Sequence, residues 1–392
     1  MKIIHCVESY YPAIGGMPEV VKQLSERLVK MGHDVTVVTR VHNDRTLGSY
    51  NGVKVVSFAI TGNPKEATSP EEKAYVDFLL ATSCDVITFF AAQQWATDLA
   101  LPVLKKIHAK KVMVPTGYSA LYDPAYTNYF EVMKARIHDY DMNVYLSNDY
   151  RDINFARENK VKNIIVIPNG AAADEFLKED LPDVRKELGI PASDFLILMV
   201  GSYTGIKGHR ETVELFLRSK IKRTTLLMIG HNYKGFWKQY LHNASLAWLY
   251  VKGRLFLGKK IIFNFFPRSF TVAAYKQSNL FLFPSNVECS PIVLFECAAA
   301  KLPFLATDVG NSAEIAEWTE GGLILPTSKD EKGFSHVRMK EGVVMLNSVY
   351  ADKKKMATMS EKAFENWKER YRWEVIAGKY EQMYLNLLHD SH

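Results

Sequence analysis

Two glutamates eight residues apart, Glu288 and Glu296, are the residues of this chain whose types and spacing best suggest chemistry. The apolar run 292–295 lies between them, and three alanines follow at 298–300. A surface helix spaces its acids by three or four residues along the wet face. This pattern instead predicts a helix that enters the core. Glu288 precedes its start, and Glu296 lies one helical turn inside it. A buried carboxylate needs a ligand or a paired donor, and an ion pair plus a helix-dipole partner is the simpler interpretation.

Two glycine-containing loops each follow a predicted strand and precede a predicted helix. Gly15-Gly16 stands before a helix that we expect to begin at Pro18, and the loop from Gly201 to Gly208 contains Lys207. Glycine allows close backbone approach to a ligand, and a helix N-terminus attracts anions. Lys207 therefore predicts contact with a diphosphate, whereas a tight turn and a solvated lysine are the alternatives. Neither loop has the spacing of a dinucleotide fingerprint or a P-loop.

Three further patterns are interpreted as structural. Asp139 and Asp141 have the spacing of a metal-binding pair, but their position between a helix and a strand favours a surface turn. Asn169-Gly170 predicts a turn with positive φ. The cysteines lack CxxC spacing, which argues against a zinc site or a disulfide framework, and Cys289 is interpreted as a packing residue. We predict no metal and no cofactor.

The elements that must position these residues alternate between strand and helix, twice over. This alternation predicts parallel sheets with crossover helices, and two similar domains place a ligand cleft at the carboxyl ends of their strands. The fold class is therefore α/β, with two Rossmann-like domains facing a cleft, at 1–182 and 183–372. Strands are predicted at 2–7, 35–39, 53–58, 86–90, 111–114, 143–146 and 164–167, and then at 195–200, 226–229, 261–263, 280–283, 303–306 and 322–325.

The distribution of charge predicts a partner. The chain has 392 residues and a net charge of +6, and no acid occurs from Leu215 to Val287 although basic and aromatic residues alternate there. Such a tract suits an anionic membrane surface or a phosphorylated ligand, and a solvated face is the alternative. Nucleic acid is not expected, because no nucleic-acid module is present. With no signal peptide and no membrane-length apolar run, we expect a cytoplasmic protein, peripheral on the inner face of the cell membrane.

The chain resembles the GT-B glycosyltransferases of family GT4 along nearly its whole length, most strongly in the C-terminal half. Its Glu-Cys-Ser-Pro variant at 288–291 is similar to the subgroup that builds surface polysaccharides. The motifs that carry the resemblance are Gly15-Gly16, Ile167-Pro168-Asn169-Gly170, Val200-Gly201 with Lys207-Gly208, Phe283-Pro284-Ser285, Glu288-x7-Glu296, and Thr307 to Asn311 with Glu314-Ile315.

The resemblance implies a retaining, metal-independent transferase that moves a sugar from a nucleotide-diphospho-sugar to a glycan or lipid-linked acceptor. It implies an acceptor-side first domain, a donor-side second domain, and a C-terminal helix, 373–392, that packs back on the first. Glu296 would bind the ribose hydroxyls and Glu288 the transferred sugar. Lys207 and the backbone of Gly15 and Gly16 would hold the diphosphate. The backbone at Ser290, Pro291, Ile292, Val293 and Leu294 would face the sugar and diphosphate.

Two positions depart from the family pattern. Ser202 stands where the family has an arginine, so half of the diphosphate clamp is missing unless Arg210 or another basic residue replaces it. The stretch 112–119 lacks the family's histidine, so either Thr116 or Tyr118 makes that sugar contact or activity is reduced, and our hypothesis is that one of these two residues makes the contact. These departures keep open a catalytically weakened nucleotide- or glycan-binding protein, and a nucleotide-sugar epimerase on the same two-domain fold is a further alternative.

Overall fold

The structure is a computed structural model that describes residues 1–64, 66–231 and 244–389. Its contacts divide the chain into two units. The first comprises Met1–Asn169 with Trp373–His392, and the second comprises Gly170–Arg372.

The first unit is built on an eight-stranded sheet with the order β3-β4-β2-β1-β5-β6-β7-β8, parallel except for the β3–β4 pair. Central strands such as Val86–Phe90 are buried along their whole length, because helices cover both faces of a parallel sheet. The strands are β1 (Lys2–Cys6), β2 (Asp34–Arg40), β3 (Ser49–Tyr50), β4 (Val53–Phe58), β5 (Val86–Phe90), β6 (Lys110–Val114), β7 (Met142–Tyr145) and β8 (Ile164–Val166).

Local sequence signals set the ends of several helices in this unit. The best example is a capping box, in which Ser69 and Glu72 satisfy each other's backbone N–H groups and Pro70 takes the first helical position. The helices are α1 (Gly16–Lys30), α2 (Pro70–Ala81), α3 (Trp95–Asp98), α4 (Thr127–Arg136) and α5 (Arg151–Glu158), with 3₁₀ turns at Leu101–Lys106, Pro124–Tyr126 and Ile137–Asp139.

The second unit repeats the plan with a six-stranded parallel sheet in the order β11-β10-β9-β12-β13-β14 and a separate antiparallel pair, β15–β16. Its strands are β9 (Phe195–Val200), β10 (Thr224–Ile229), β11 (Lys259–Asn264), β12 (Leu280–Phe283), β13 (Phe304–Ala306), β14 (Gly322–Ile324), β15 (Thr327–Lys329) and β16 (Ser335–Val337). Its helices are α6 (Ala173–Phe176), α7 (Val184–Glu187), α8 (His209–Arg218), α9 (Ala244–Leu257), α10 (Arg268–Gln277), α11 (Ile292–Ala299), α12 (Ser312–Thr319), α13 (Met339–Ala351) and α14 (Lys353–Asn366), followed by a π-helical turn at Trp367–Tyr371.

The last helix, α15 (Trp373–His389), packs against α1 in the first unit. Glu374 accepts a hydrogen bond from Arg27 at 3.0 Å. Deeper in the unit, the Tyr384 hydroxyl lies 2.7 Å from the Thr88 hydroxyl. The apolar stripe of α15 therefore completes the core of the first unit.

Several details differ from the sequence prediction. The predicted domain boundary follows residue 182, but Ala171 and Phe176 are buried in the core of the second unit. The predicted positive-φ turn at Asn169-Gly170 is wrong: neither residue has positive φ, and the chain runs on into a parallel bridge from Ala171 to Arg372. Strands β3, β15 and β16 were not predicted, because two- and three-residue polar strands leave no periodic signal.

Candidate functional site

Lys207 and Glu288 form an ion pair in the second unit, 2.7 Å from Nζ to Oε1. Lys207 stands in the loop after β9, and Glu288 in the loop between β12 and α11. The buried Ser285 hydroxyl donates to the same Glu288 oxygen at 2.8 Å, so one carboxylate oxygen is held by two donors. The pair offers an ammonium for an anion and a carboxylate for a hydroxyl, both partly open to solvent.

Close backbone contact joins the two loops that carry this pair. Gly208 ends the first loop in the left-handed region (φ +70°), and a Cβ at that position would lie 1.9 Å from the carbonyl oxygen of Pro284. The Asn286 N–H donates to the Ile206 carbonyl at 2.9 Å. Directly after β13, Thr307 donates a hydrogen bond to the carbonyl of Ser285. Only glycine permits this approach, so Gly208 places Lys207 beside Glu288.

Glu296 lies one turn inside α11 and is buried, with its side chain 4% exposed. Arg268, at the start of α10, contacts its Oε1 at 2.5 Å and Glu175 at 2.6 Å. Burial raises the pKa of Glu296, and the guanidinium opposes that rise. A carboxylate accepts about four hydrogen bonds in total, so Glu296 keeps acceptor capacity for ligand hydroxyls.

The segment from Ser290 to Leu294 connects the two glutamates and forms the start of α11. The helix begins at Ile292 after Pro291, and Leu294 is buried while Ile292 and Val293 are half-buried. Orphan N–H groups at a helix start favour an anion. The structure thus places these predicted donor-site residues together with Glu288 and Glu296.

The remaining predicted residues of the second unit lie near Lys207 in the chain. Ser202 is half-buried in the loop after β9, and Arg210 is exposed in the first turn of α8. Between them, His209 lies 3.1 Å from the Gly201 carbonyl and stacks on Tyr203 at 4.0 Å. Burial lowers the pKa of His209 to about 4, so this imidazole is neutral and stabilises the loop.

Gly15 and Gly16 are exposed at the start of α1, in the first unit. The helix begins at Gly16, two residues before the predicted start at Pro18. A Cβ on Gly16 would meet no atom within 4 Å, and Gly15 is in extended backbone that any residue adopts. The backbone conformation therefore does not require glycine at either position, and the space beside Gly16 is open.

The loop after β6 carries Thr116 and Tyr118, and its three residues 116–118 all have positive φ. Sparsely populated backbone of this kind is typical of functional loops. Tyr118 is 1% exposed, and its ring packs on Phe130 and Phe155 in the core. This position argues against the sugar contact that we considered for Tyr118, whereas Thr116 is half-buried.

Asp152 stabilises the loop after β6 through a hydrogen bond to its backbone. Its Oδ2 accepts the N–H of Gly117 at 2.8 Å, and burial raises its pKa to about 6 although backbone N–H groups oppose the rise. Sequence reasoning did not identify Asp152, because an acid in the first turn of a helix is ordinary.

The residues that we interpreted as structural have structural contacts. Asp139 pairs with Arg136 at 3.2 Å, and Asp141 accepts the Lys111 N–H at 2.7 Å. Within the described ranges, no three His, Cys, Asp or Glu side chains are grouped as metal ligands. None of the four cysteines forms a disulfide.

The sequence patterns do not identify Arg268 or Glu175 as site residues. Neither lies in a motif. Arg268 contacts Glu296, and Glu175 contacts Arg268, from distant parts of the chain. The acid-free stretch before Val287 contains Arg268, but nothing in the sequence distinguishes it from the other basic residues there.

Two family models match this chain in succession. "Glycosyltransferase Family 4" matches residues 14–175, and "Glycosyl transferases group 1" matches residues 180–365. Together they include both glycine loops and both glutamates.

Individual proteins resemble the chain over its full length at low identity. N-acetyl-alpha-D-glucosaminyl L-malate synthase of Bacillus anthracis is 21% identical over 97% of this chain and 96% of its own. GDP-mannose:cellobiosyl-diphosphopolyprenol alpha-mannosyltransferase of Xanthomonas campestris is 23% identical over 97% and 95%. The crystal structure of Anabaena Alr3699/HepE in complex with UDP-glucose has a TM-score of 0.73 and 16% identity, covering 98% of this chain and 99% of that one. These likenesses agree with two Rossmann-like domains.

Proposed function

Because this chain belongs to the GT-B glycosyltransferases of the GT4 type, we propose that it transfers a sugar from a nucleotide-diphospho-sugar with retention of anomeric configuration. The proposed acceptor is a glycan or lipid-linked saccharide of cell-surface polysaccharide synthesis. One observation carries the proposal: Lys207 contacts Glu288 just before the start of α11, and Glu296 lies one turn inside that helix. Their chemistry suits a diphosphate flanked by two hydroxyl-bearing rings.

Similar proteins support the substrate classes. The Anabaena structure contains UDP-glucose, and the Xanthomonas enzyme is named for GDP-mannose and a diphosphopolyprenol-linked acceptor. Both donors have a ribose, a diphosphate and a sugar. We propose that Glu296 accepts from the ribose, Lys207 and the start of α11 bind the diphosphate, and Glu288 accepts from the sugar.

In the proposed reaction, an acceptor hydroxyl attacks the anomeric carbon on the face that the diphosphate leaves. The bond to the acceptor oxygen forms, the bond to the diphosphate oxygen breaks, and the hydroxyl proton passes to that departing oxygen. Negative charge grows on the diphosphate as the bond breaks. Lys207 and the N–H groups at the helix start stabilise this charge, the kind of contribution that is usually largest in such sites.

The ion pair adds a feature to this mechanism. Lys207 and Glu288 are paired with each other before a donor binds. The diphosphate and a sugar hydroxyl must therefore replace the 2.7 Å contact between Lys207 Nζ and Glu288 Oε1. Ser285 keeps its bond to Glu288 when Lys207 turns to the diphosphate, because its hydroxyl is fixed in the core. The carboxylate therefore stays positioned for the sugar.

A nucleotide-sugar screen tests the proposal. A donor at one hundred times its Kd adds about 2.7 kcal/mol to the stability of the folded protein, which thermal unfolding detects. We expect stabilisation by one nucleotide sugar in the presence of EDTA, and transfer with retained anomeric configuration by NMR of the product.

Matched variants locate the site. Lys207→Met is expected to lower kcat by about 100-fold, as removal of a charge-stabilising donor does. Glu288→Gln is expected to lower kcat because it removes the charged acceptor of the sugar hydroxyl, whereas Lys340→Met, at an exposed lysine of α13, retains activity. Conversion of the donor alone to a new sugar would replace the proposal with an epimerase. Full activity of Glu288→Gln would show that this carboxylate is not needed.

A further inference from the structure

Helix α9 (Ala244–Leu257) exposes an apolar face of unusual size. Trp248, Val251, Leu255 and Phe256 are 61%, 53%, 72% and 74% exposed. Their spacing of three, seven and eight residues from Trp248 places them on one side of the helix. Single exposed apolar residues are ordinary, but a continuous stripe of large side chains is typical of an interaction surface.

The opposite side of α9 anchors it to the second unit. Leu246 is 3% exposed in the core beside α8, and Leu249 and Tyr250 pack against the same core. Gly253 faces the Leu217 side chain, where an added Cβ would lie 3.7 Å from it. The exposed stripe is therefore the outward face of a helix whose inner face is already satisfied.

Positive charges surround the stripe. Lys252 lies within it, with its ammonium 4.9 Å above the Trp248 ring, and Arg254 is exposed beside it. At the helix end, Arg223 is exposed and donates its N–H to the Leu257 carbonyl at 2.8 Å. The absence of acids from 215 to 287 means that none of this stretch's own residues neutralises them.

We propose that α9 is the docking surface of this protein for an anionic lipid bilayer. The helix lies along the surface with Trp248, Leu255 and Phe256 in the headgroup–acyl boundary, while Lys252 and Arg254 contact anionic headgroups. Apolar side chains flanked by Lys and Arg, with an aromatic ring, are the pattern of helices that lie in the membrane interface. None of the described helices is long and apolar enough to span a bilayer.

The structure narrows the prediction made from sequence. The charge pattern predicts membrane contact for the tract 215–287 as a whole. Its strands β10 and β12 and the helix α8 are largely buried, β11 is half-buried, and α9 supplies the exposed stripe. The basic and aromatic residues at 234–240 that contribute to that prediction lie outside the described residues. The inference goes beyond transfer chemistry, because docking requires neither donor nor acceptor.

Co-sedimentation of the full chain with vesicles tests the proposal. We expect binding to vesicles of equal parts phosphatidylcholine and phosphatidylserine, weak binding to phosphatidylcholine alone, and release as salt rises. Leu255→Ser with Phe256→Ser should lower partitioning at least about tenfold, because it removes two large side chains from the interface. Val344→Ser, at a similarly exposed valine of α13, should bind like the wild type.

Two further measurements distinguish docking from loss of fold and from self-association. Unchanged thermal unfolding of the double variant, expected for exposed positions, shows that loss of binding is not loss of fold. Equal binding to neutral and anionic vesicles, or equal loss in the Val344 variant, would overturn the proposal. A concentration-dependent dimer that the double variant abolishes, without vesicle binding by the wild type, would assign the stripe to self-association instead.

Discussion

Arg268 is the residue whose removal tests the site most directly. Its Nη2 contacts Glu296 at 2.5 Å and Glu175 at 2.6 Å, so it is the cation that compensates a buried acid. Replacement by glutamine keeps some hydrogen bonding and removes the charge. Glu296 would then be a buried carboxylate without a cationic partner.

The loss of stability expected for Arg268→Gln follows from the burial of the Arg268–Glu296 pair. Breaking a fully buried pair costs about 3–5 kcal/mol. Glu296 is 4% exposed but Arg268 is 39% exposed, so water compensates part of the loss, and we expect about 2 kcal/mol. Glu175→Gln is the matched control: it leaves the Arg268–Glu296 contact in place and should cost well under half as much.

The destabilisation caused by Arg268→Gln depends on pH. Burial raises the pKa of Glu296 above its usual range, Arg268 opposes that rise, and its removal lets the pKa rise further. The guanidinium stabilises only the ionised carboxylate, so its contribution is present above that pKa and lost as the pH falls through it. The cost of Arg268→Gln should therefore be larger at about pH 8 than at about pH 5.

Urea unfolding of a double-mutant cycle measures the coupling. The four proteins are the wild type, Arg268→Gln, Glu296→Gln and the double variant, because such a cycle isolates the pairwise contribution. A coupling below about 0.5 kcal/mol, or one equal at both pH values, would refute the reasoning. We also expect Arg268→Gln to weaken donor binding more at high pH, in parallel with the stability effect.

Two other predictions concern the framework. Gly208→Ala should destabilise the protein by more than about 3 kcal/mol, because its Cβ would lie 1.9 Å from a carbonyl oxygen, whereas Gly205→Ala, at positive φ in open space, should cost about 1 kcal/mol by the same unfolding measurement. Burial lowers the pKa of His5 from 6.5 to about 3. Between these pH values His5 is protonated in the unfolded state and neutral in the folded state. The free energy of unfolding should therefore fall by up to about 1.4 kcal/mol per pH unit below 6.5. Unfolding of His5→Asn should lack that part of the slope, and an unchanged slope would contradict the assignment.

Much of the fold was predictable from local sequence. Strands Val86–Phe90 and Phe195–Val200 match their predicted limits, because a buried parallel strand is a largely apolar run between turn residues. Val53–Phe58 also matches its predicted limits, although Lys54 and Ser57 in it are exposed. The spacing of Glu288 and Glu296 likewise predicted an acid before a buried helix and another one turn inside it, which is where α11 places them. These features depend on neighbours in sequence.

The partners of the site residues depended on the tertiary structure. Arg268 contacts both Glu296 and Glu175 only because α10, α11 and α6 meet in the second unit, and no spacing rule links these residues. Sequence alone could not distinguish Tyr118 from Thr116 as the candidate for the sugar contact. In the structure, Tyr118 follows a run of positive φ and its ring is buried in the core. The chain by itself determined which residues carry charge and which elements hold them. Folding decided which charges are paired, because contact between distant elements depends on how sheets and helices pack.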